Sequence, residues 1–499
     1  MIQTSPRAAW VALLAVSLAV FVAALDLTVT AAVLPQLIFD FDIPLPDGLA
    51  DAAWIVNGYL IAYVVTMPVM GRVSDLYGRQ LVFLVCLALF VVGSIAAALS
   101  TSLWPMVAAR VVQALGGGAM VPVALAAVSD AVPERNRSLA IGLIAAVDTA
   151  GWVAGPSYGA WINTLLGWRW VFWLNVPLGI IAAILVVVAL PRSTRTSHRL
   201  DIVGAGLFTL FLLAFTMALY LGAPASPESG LMARPGEVEQ SPWFWPLLLL
   251  SVGALAGFVR WEQRMAEPLL DLRLLAGRTF AAANSVSLLT GIVLMAVMVE
   301  IPVLLQAVSS SVEAATAESG WLLAFFAGGM VLGALLAGPL LRFLAARWLT
   351  VVGLLLMTLG LWQMANWEQL LGTDALTMPL ALAGLGLGLV TTPLATAVLD
   401  RVAEEERGIA ASLVLVARLL GMTLGLSVLV TWALRRFDVL IAQEEMPSLF
   451  AENGPELAAQ IAAGVTATVV TDLFMVTVIV GLVALLPAML IGGRGNVSE

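Results

Sequence analysis

Five charged residues lie inside long apolar stretches of the sequence: Asp26, Arg110, Asp148, Glu300 and Arg418. An ionisable side chain at bilayer depth costs at least about 2.5–3.5 kcal/mol if it faces lipid, so such residues face the protein interior and are functional candidates by default. A carboxylate opposite a guanidinium can hold two elements together and release them when the acid is protonated. We therefore treat all five as candidates for proton coupling or for ion pairs within the membrane.

Helical rise assigns depths to these charges. At about 1.5 Å per residue, Asp26 and Arg110 fall at similar levels of a hydrocarbon core about 30 Å thick. Asp148 and Arg418 each lie roughly 14 Å from the inner ends of their helices, near the midplane, in opposite halves of the chain. We predict that Arg418 bridges the halves in one conformation, with Asp148 or the somewhat higher Asp26 as its partner. Glu300 lies toward the outer mouth, where simple hydration is the alternative.

Composition excludes most other classes of protein. The 499-residue chain is 61% hydrophobic and 11% charged, against about 25% charged residues in soluble domains, so most of its surface must face lipid. This excludes a soluble enzyme, and the net charge of −9 argues against nucleic-acid binding. The single Cys86 and single His198 exclude the usual metal sites, and neither a metal nor a cofactor is predicted. Because His198 lies in a polar connector, carboxylates must carry any protons.

Apolar runs of about 20 residues predict about fourteen membrane-spanning helices. They group as a six-helix half (1–195), two linker helices (196–275) and a second six-helix half (276–499), an all-α organisation that suits an internally duplicated transporter. The longest connection, near 435–466, is predicted to be an external loop with a short amphipathic segment. With both termini inside, about 17 arginines fall in cytoplasmic segments and about four outside, as the positive-inside rule requires.

The first cytoplasmic loop, "GRVSDLYGRQ", combines two glycines with two charges: Gly71, Asp75, Gly78 and Arg79. The glycines permit a tight reversal between two helices. The charges lie at a helix–loop junction, where they can lock or release a helix end. We predict a cytoplasmic gate here. The corresponding segment of the second half, residues 338–348, has Arg342 in place of the acid, so a matching charge lock is not expected there.

Two helices carry glycine-rich motifs. The fourth reads "ARVVQALGGGAMVP", with Arg110 one turn before Gln113. The fifth reads "DTAGWVAGPSYGA", which contains Gly151, Gly155, Pro156 and Gly159. Glycines at i, i+4 and i+8 form a smooth stripe that lets another helix approach closely, so their main role is packing. Asp148 lies one turn before this stripe, and a packing or capping role is the alternative to proton coupling.

These segments resemble the loop, fourth-helix and antiporter motifs of the major facilitator superfamily, although Leu76 stands where the family loop has Arg. Together with "LDLTVTAAVLPQL" (25–37) and "EPLLDLRLLAGRTF" (267–280), they resemble its fourteen-helix drug:proton antiporter branch. The resemblance implies a monomeric, proton-driven secondary transporter of a bacterial inner membrane that works by alternating access. No Gly-rich phosphate loop is present to suggest ATP drive. The intramembrane charges are few and spread over several helices, which disfavours a membrane-embedded enzyme.

Residues 54–80, 135–159, 171–179 and 384–425 are also similar to a narrower group, the mycobacterial exporters linked to triacylglycerol transport and to multidrug efflux. This similarity implies export of lipophilic substrates, foremost lipids such as triacylglycerol, and an external lipid-binding lipoprotein as a partner. Export of hydrophobic or cationic drugs in exchange for protons is the alternative, because both substrate classes need an apolar cavity with few polar groups.

Overall fold

A computed structural model of the chain describes residues 6–44, 49–190, 200–222, 241–265, 268–273, 277–309, 312–367, 372–444 and 454–492. Within these ranges, fourteen helices are long and apolar enough to cross a membrane, which confirms the predicted number. They are α1 (Pro6–Asp40), α2 (Trp54–Tyr77), α3 (Arg79–Ala98), α4 (Leu103–Ala131), α5 (Glu134–Leu166), α6 (Asn175–Ala189, after a short helix Arg169–Trp173), α7 (Ile202–Gly222), α8 (Phe244–Glu262), α9 (Arg278–Val308), α10 (Val312–Leu340), α11 (Ala346–Ala365), α12 (Thr377–Leu399), α13 (Arg407–Ile441) and α14 (Gly454–Ala488).

The helices form two six-helix halves and a linker pair. Helices α1–α6 pack mainly on one another, α9–α14 do the same, and α7 packs against α8. The halves meet where α2 crosses α13 and α5 crosses α10, with further contacts of α4 on α13 and α5 on α12. Helices are suited to a membrane because each one satisfies its own backbone hydrogen bonds within the lipid. His198 lies outside the described residues.

A single residue, Gly78, separates α2 from α3. Its φ of 98° lies in the region that glycine adopts readily, which explains why the chain can reverse here. Gly71 differs from the prediction, because it lies inside α2 and not in the turn. There a Cβ would lie 2.6 Å from the carbonyl oxygen of Gly408, at the start of α13. Gly71 therefore permits close packing between the halves. We call the end of the bundle that carries Gly78 the arginine-rich end, and the opposite one the far end.

The prediction of a long loop near 435–466 is wrong for most of its length. Helix α13 continues to Ile441 and α14 begins at Gly454, while 445–453 lie outside the described residues. Each helix has 35 residues, or about 52 Å, which exceeds a hydrocarbon core of about 30 Å. Arg436 pairs with Asp472 at 2.9 Å, and apolar side chains such as Phe437 pack beside them. At the far end, α13 and α14 therefore continue as two helices packed on each other, although their sequence there is more polar.

Candidate functional site

A small cavity lies at the centre of the molecule, between the two halves. Its walls come from α4 and α5 of the first half and from α9, α12 and α13 of the second. Apolar side chains dominate the lining, and the charged residues in it are Asp148 and Arg418, one from each half. The volume is about 40 Å³. A water molecule needs at least about 10–15 Å³ of such space, so the cavity has room for a few water molecules at most and is too small for a lipid in this conformation.

Asp148 and Arg418 face this cavity without forming a direct ion pair. Asp148 is 7% exposed, and its Oδ1 atom has no hydrogen-bond partner among the described residues. The Arg418 guanidinium lies 6.0 Å from the ring centroid of Trp152. Tyr63 of α2 is within electrostatic reach of both charges. The structure thus brings together the two predicted partners from opposite halves and leaves the acid unsatisfied.

The same glycine spacing places both charges. Asp148 is followed at +3 and +7 by Gly151 and Gly155, and Arg418 is followed at +3 and +7 by Gly421 and Gly425. A Cβ on either α5 glycine would collide with α1, and a Cβ on either α13 glycine would press on α9. Equivalent helix pairs in the two halves thus pack in the same way, and they bring one carboxylate, Asp148, and one guanidinium, Arg418, to the shared cavity. The other two residues of the antiporter motif differ in their surroundings. Gly159 also packs on α1, whereas Pro156 is exposed.

Asp26 and Arg110 form a separate cluster buried inside the first half. Both are 0% exposed, and Arg110 Nη1 lies 2.5 Å from Asp26 Oδ2. Gln113 and Asn175 donate to Asp26 Oδ1 at 2.9 and 2.8 Å, and Arg110 stacks 3.9 Å from the Tyr59 ring centroid. Helical depth placed Asp26 and Arg110 together in advance. Nothing in the sequence indicated that Asn175 and Tyr59 would join them, because isolated polar residues show no spacing signal.

Glu300 lies apart from both groups. It is buried on α9, at 4% exposure, but it does not line the central cavity. No arginine lies within ion-pair distance of it in the part of the chain that the structure describes. The structure therefore brings together neither Glu300 and Arg418 nor Glu300 and Asp26.

Asp75 fastens the halves together at the arginine-rich end. Its carboxylate accepts hydrogen bonds from the backbone N–H groups of Gly408 at 2.8 Å and Ile409 at 3.0 Å. These N–H groups are in the first turn of α13, where the helix leaves donors unpaired and favours negative charge. Arg79 pairs with Asp75 from α3 and donates to the Glu404 carbonyl oxygen at 2.7 Å. The predicted gate residues thus lie in a contact between the halves.

Two further acids take part in this contact. Asp130, at the end of α4, bridges Arg79 at 3.2 Å and Arg407 at 2.6 Å. Asp400, directly after α12, forms an ion pair with Arg137 at 3.0 Å. Both bridges join the first half to the second. These partners could not be recognised in the sequence, since Arg137 and Asp400 are 263 positions apart.

The symmetry-related crossing of α5 and α10 is held by different contacts in the part of the chain that the structure describes. Gly338 packs on the backbone of Leu139, Ser138 donates to the Gly338 carbonyl at 3.2 Å, and Arg342 donates to Asn136 at 3.0 Å. The Ser138 hydrogen bond is neutral, and neutral hydrogen bonds are weaker than charge-assisted ones such as those that Asp75 accepts. Among the described residues, the buried acid that joins the two halves, Asp75, lies at the crossing of α2 and α13.

Replacing Asp75 with Asn should weaken the closed arrangement of the arginine-rich end. Hydrogen bonds to charged groups contribute about 1.5–3 kcal/mol, so the balance between closed and open forms should shift roughly 10- to 100-fold. Spin labels on the exposed residues Tyr77 and Phe343 would report the distance between the halves. Glu404→Gln is the matched control, because Glu404 is 71% exposed and 3.7 Å from Arg407. An altered substrate profile with unchanged distances would contradict a gating role for Asp75.

The fold and the site define a class. Two similar six-helix halves enclose a central cavity, opposed charges from the two halves line it, and a polar network closes one end. This is the architecture of a transporter built from structural repeats. Two solved structures share it: the human organic anion transporter MFSD10, with a TM-score of 0.60, 15% identity and coverage of 96% of this chain and 100% of that one, and the proton:xylose symporter XylE, with a TM-score of 0.59, 13% identity and coverage of 95% of each chain.

The chain belongs to the Major Facilitator Superfamily, whose family model matches residues 16–425. It is similar to the triacylglyceride transporter of Mycobacteroides abscessus, with 35% identity over 453 residues that cover 87% of this chain and 84% of the relative. It is also similar to a probable triacylglyceride transporter of Mycobacterium leprae, with 32% identity over 505 residues that cover 97% and 96%. The chain is thus a multi-pass membrane transporter, and its resemblance to the superfamily is confirmed.

Proposed function

We propose that this protein is a proton-driven exporter of lipophilic molecules, foremost lipids such as triacylglycerol, that works by alternating access. The observation that carries the proposal is the central cavity, in which the unpaired carboxyl of Asp148 faces Arg418 across the boundary between the halves. An acid that lacks a donor in one conformation and gains a cation in another binds protons differently in the two. That difference is what couples a proton gradient to a conformational change.

The closed arginine-rich end supports the alternating-access part of the proposal. Asp75, Asp130 and Asp400 all join the halves there, while the cavity of about 40 Å³ is too small for a lipid. Substrate must therefore enter and leave through other arrangements of the same halves. In the proposed cycle, separation of α2 from α13 opens the pathway at this end, and Asp148 then approaches or leaves Arg418.

The substrate assignment rests on the relatives and on the lining. The Mycobacteroides abscessus and Mycobacterium leprae relatives are triacylglyceride transporters by name, and the cavity walls are largely apolar, as a lipophilic substrate requires. We propose that an external lipid-binding lipoprotein receives the lipid and that the transporter is a monomer. The halves are assigned to residues 1–195 and 276–499, with the linker helices at 196–275 between them.

Orientation follows from charge. We propose that the arginine-rich end faces the cytoplasm of a bacterial cell, with both termini on that side of the inner membrane. The ion pairs at this end use Arg79, Arg137 and Arg407. Maleimide labelling of single cysteines at the exposed residues Phe343 and Trp243, with and without membrane permeabilisation, would test the assignment: Phe343 should be reached only from the inside.

A proteoliposome assay tests the coupling. Wild-type protein and Asp148→Asn would be compared for accumulation of fluorescent triacylglycerol under an imposed pH gradient, and for counterflow at equal pH. We expect Asp148→Asn to lose accumulation by at least about tenfold, which is about 1.4 kcal/mol of coupling, and to keep counterflow, because exchange needs no net proton movement. Asp374→Asn is the control, since Asp374 is an exposed acid away from the cavity.

Each alternative has its own outcome in this assay. Accumulation of a cationic dye, with no triacylglycerol movement, would show that the substrates are drugs and not lipids. Full pH-driven accumulation by Asp148→Asn would show that Asp148 takes no part in proton coupling. Absence of counterflow for every lipid and dye tested would contradict transport of lipophilic molecules.

A further inference from the structure

Two buried carboxyl groups meet where the linker helices reach the arginine-rich end. Asp201 directly precedes α7 and is 6% exposed, and Glu262 ends α8 and is 4% exposed. The two groups lie within hydrogen-bonding reach of each other. Asp201 Oδ2 and Glu262 Oε1 converge over Gly204, where a Cβ would collide with both oxygens. This pair lies outside the central cavity and outside the contacts between the halves.

The hydrogen bonds around the pair are unequal. Asp201 caps α7 by accepting from the Gly204 N–H at 2.9 Å, and it also accepts from Trp261 Nε1 at 3.0 Å. Glu262 Oε2 accepts from the Leu270 N–H at 3.3 Å. Glu262 Oε1, however, has no donor among the described residues, although it faces another acceptor. Two carboxyl oxygens that meet away from water need a hydrogen or a cation between them.

We propose that Glu262 carries a proton on Oε1 and donates it to Asp201 Oδ2, so that the pair is a proton-binding site separate from the central cavity. The proton belongs to Glu262 because the donors to Asp201, a helix N-terminus and an indole, stabilise that group as a carboxylate. A metal ion fits poorly, since the described residues contain no cluster of three or more metal-ligating side chains.

The electrostatic surroundings of Glu262 are set by its partner acid and by nearby backbone groups. Within the described residues, the interactions found for Glu262 come from Asp201 and from the backbone of Leu269 and Leu270. The charged groups that the neighbouring elements carry at this end of the molecule are Arg72 and Asp75 of α2, Arg260 and Arg264 near the end of α8, Asp271 and Arg273 of the segment 268–273, Glu404, Glu405 and Glu406 just before α13, and Arg407 at its start.

The shared proton connects the linker pair to the contact between the halves. Glu262 holds the segment 268–273 through the Leu270 N–H. The Pro268 carbonyl of that segment accepts from Arg72 Nη2 at 3.2 Å, and Arg72 Nη1 donates to the Glu405 carbonyl at 3.3 Å. Loss of the proton would place two negative charges side by side, which is unfavourable. The segment would then be released from α8, and Arg72 would lose one of its two anchors.

Cysteine accessibility tests this latch. Leu269 is 1% exposed, so a Leu269→Cys probe in a Cys86→Ala background should react slowly with maleimide while the segment is held. Because the thiolate is the reactive form of cysteine, the labelling rate at each pH is divided by that of an exposed Phe343→Cys probe in the same background. We expect this ratio to rise at least about tenfold as the pH is raised from about 6 to about 9, because the protonated form of Glu262 is depleted. The ratio should be independent of pH when Glu262→Gln is added, since the amide keeps a permanent donor to Asp201. Asp374→Asn is the control and should keep the pH dependence.

Infrared difference spectra in H₂O and D₂O give a second readout that does not depend on the probe. The carbonyl band of a protonated carboxylic acid should be present in the wild-type protein and should lose intensity in Glu262→Gln. An unchanged band would overturn the proposal, and so would equal pH dependence of labelling with and without Glu262→Gln. Labelling that responds to Na⁺ or Mg²⁺ at constant pH would overturn it in favour of a bound cation.

Discussion

Asp26→Asn is expected to destabilise the protein by about 3–5 kcal/mol, because removal of one partner leaves the other as an uncompensated buried charge. Arg110 is 0% exposed and takes its closest ion-pair contact from Asp26, at 2.5 Å. Asn also cannot accept as strongly from Gln113 and Asn175, which both donate to the carboxylate. Thermal unfolding of the purified protein in detergent would measure the loss. Gradient-driven transport by this variant should be abolished as well, as expected for a proton-coupling residue.

A double variant separates the structural role of Asp26 from its coupling role. Asp26→Asn combined with Arg110→Met removes both charges, so it should recover much of the stability lost in the single variant. If Asp26 carries protons in the cycle, the recovered protein still lacks pH-driven accumulation. Recovery of both stability and accumulation would restrict Asp26 to a structural ion pair, and a single variant as stable as the wild type would contradict even that role.

The two acids differ in a way that bears on the mechanism. Asp26 is surrounded by Arg110, Gln113 and Asn175, all within the first half, so its contacts need not change when the halves move. Asp148 has an unsatisfied oxygen and faces Arg418 of the other half, so its surroundings must change. We therefore propose that, of the predicted coupling residues, Asp148 is the one whose proton affinity responds most directly to a movement of the halves.

The sequence predicted the helices well because lipid imposes a simple rule. An apolar run of about 20 residues has to cross the bilayer as a helix, and the number and order of the spans follow from that rule alone. The rule fails where a helix leaves the membrane. Arg436 lies in the segment predicted to be a loop, yet it is helical and pairs with Asp472 on the neighbouring helix, and hydropathy contains no information about such a partner.

The parts of the site that could be predicted are those whose residues recur at a regular spacing in the sequence. The glycines at +3 and +7 after Asp148 and after Arg418 can be read from the sequence and mark packed helix faces, and in the structure both charges line the central cavity. The role of Gly71 was not predictable, because its contact with Gly408 depends on a crossing between residues more than 300 positions apart. The same holds for Asp130, which lies at a helix end beside Arg79 of its own half and acquires Arg407 only when the halves meet.

The central prediction concerns Arg418 and Asp148 together. Arg418→Ala should stall pH-driven transport by at least about tenfold, because the acid then lacks the cation that makes one conformation differ from the other. Asp148→Asn with Arg418→Ala should be less destabilising than the two single changes added together, since no charge remains in the cavity. The coupling energy should fall within the range of about 0.5–3 kcal/mol seen for interacting residues.

Glu300 provides the matched comparison for this cycle. It is a buried acid of the same half as Arg418, but it lies nine residues beyond Gly291, the α9 residue that packs against Arg418, which is about 13 Å along the helix. Glu300→Gln with Arg418→Ala should therefore be additive within about 0.5 kcal/mol. Thermal unfolding of the six proteins measures both cycles. An additive result for Asp148, or equal coupling for Asp148 and Glu300, would show that Arg418 does not bridge the halves through Asp148.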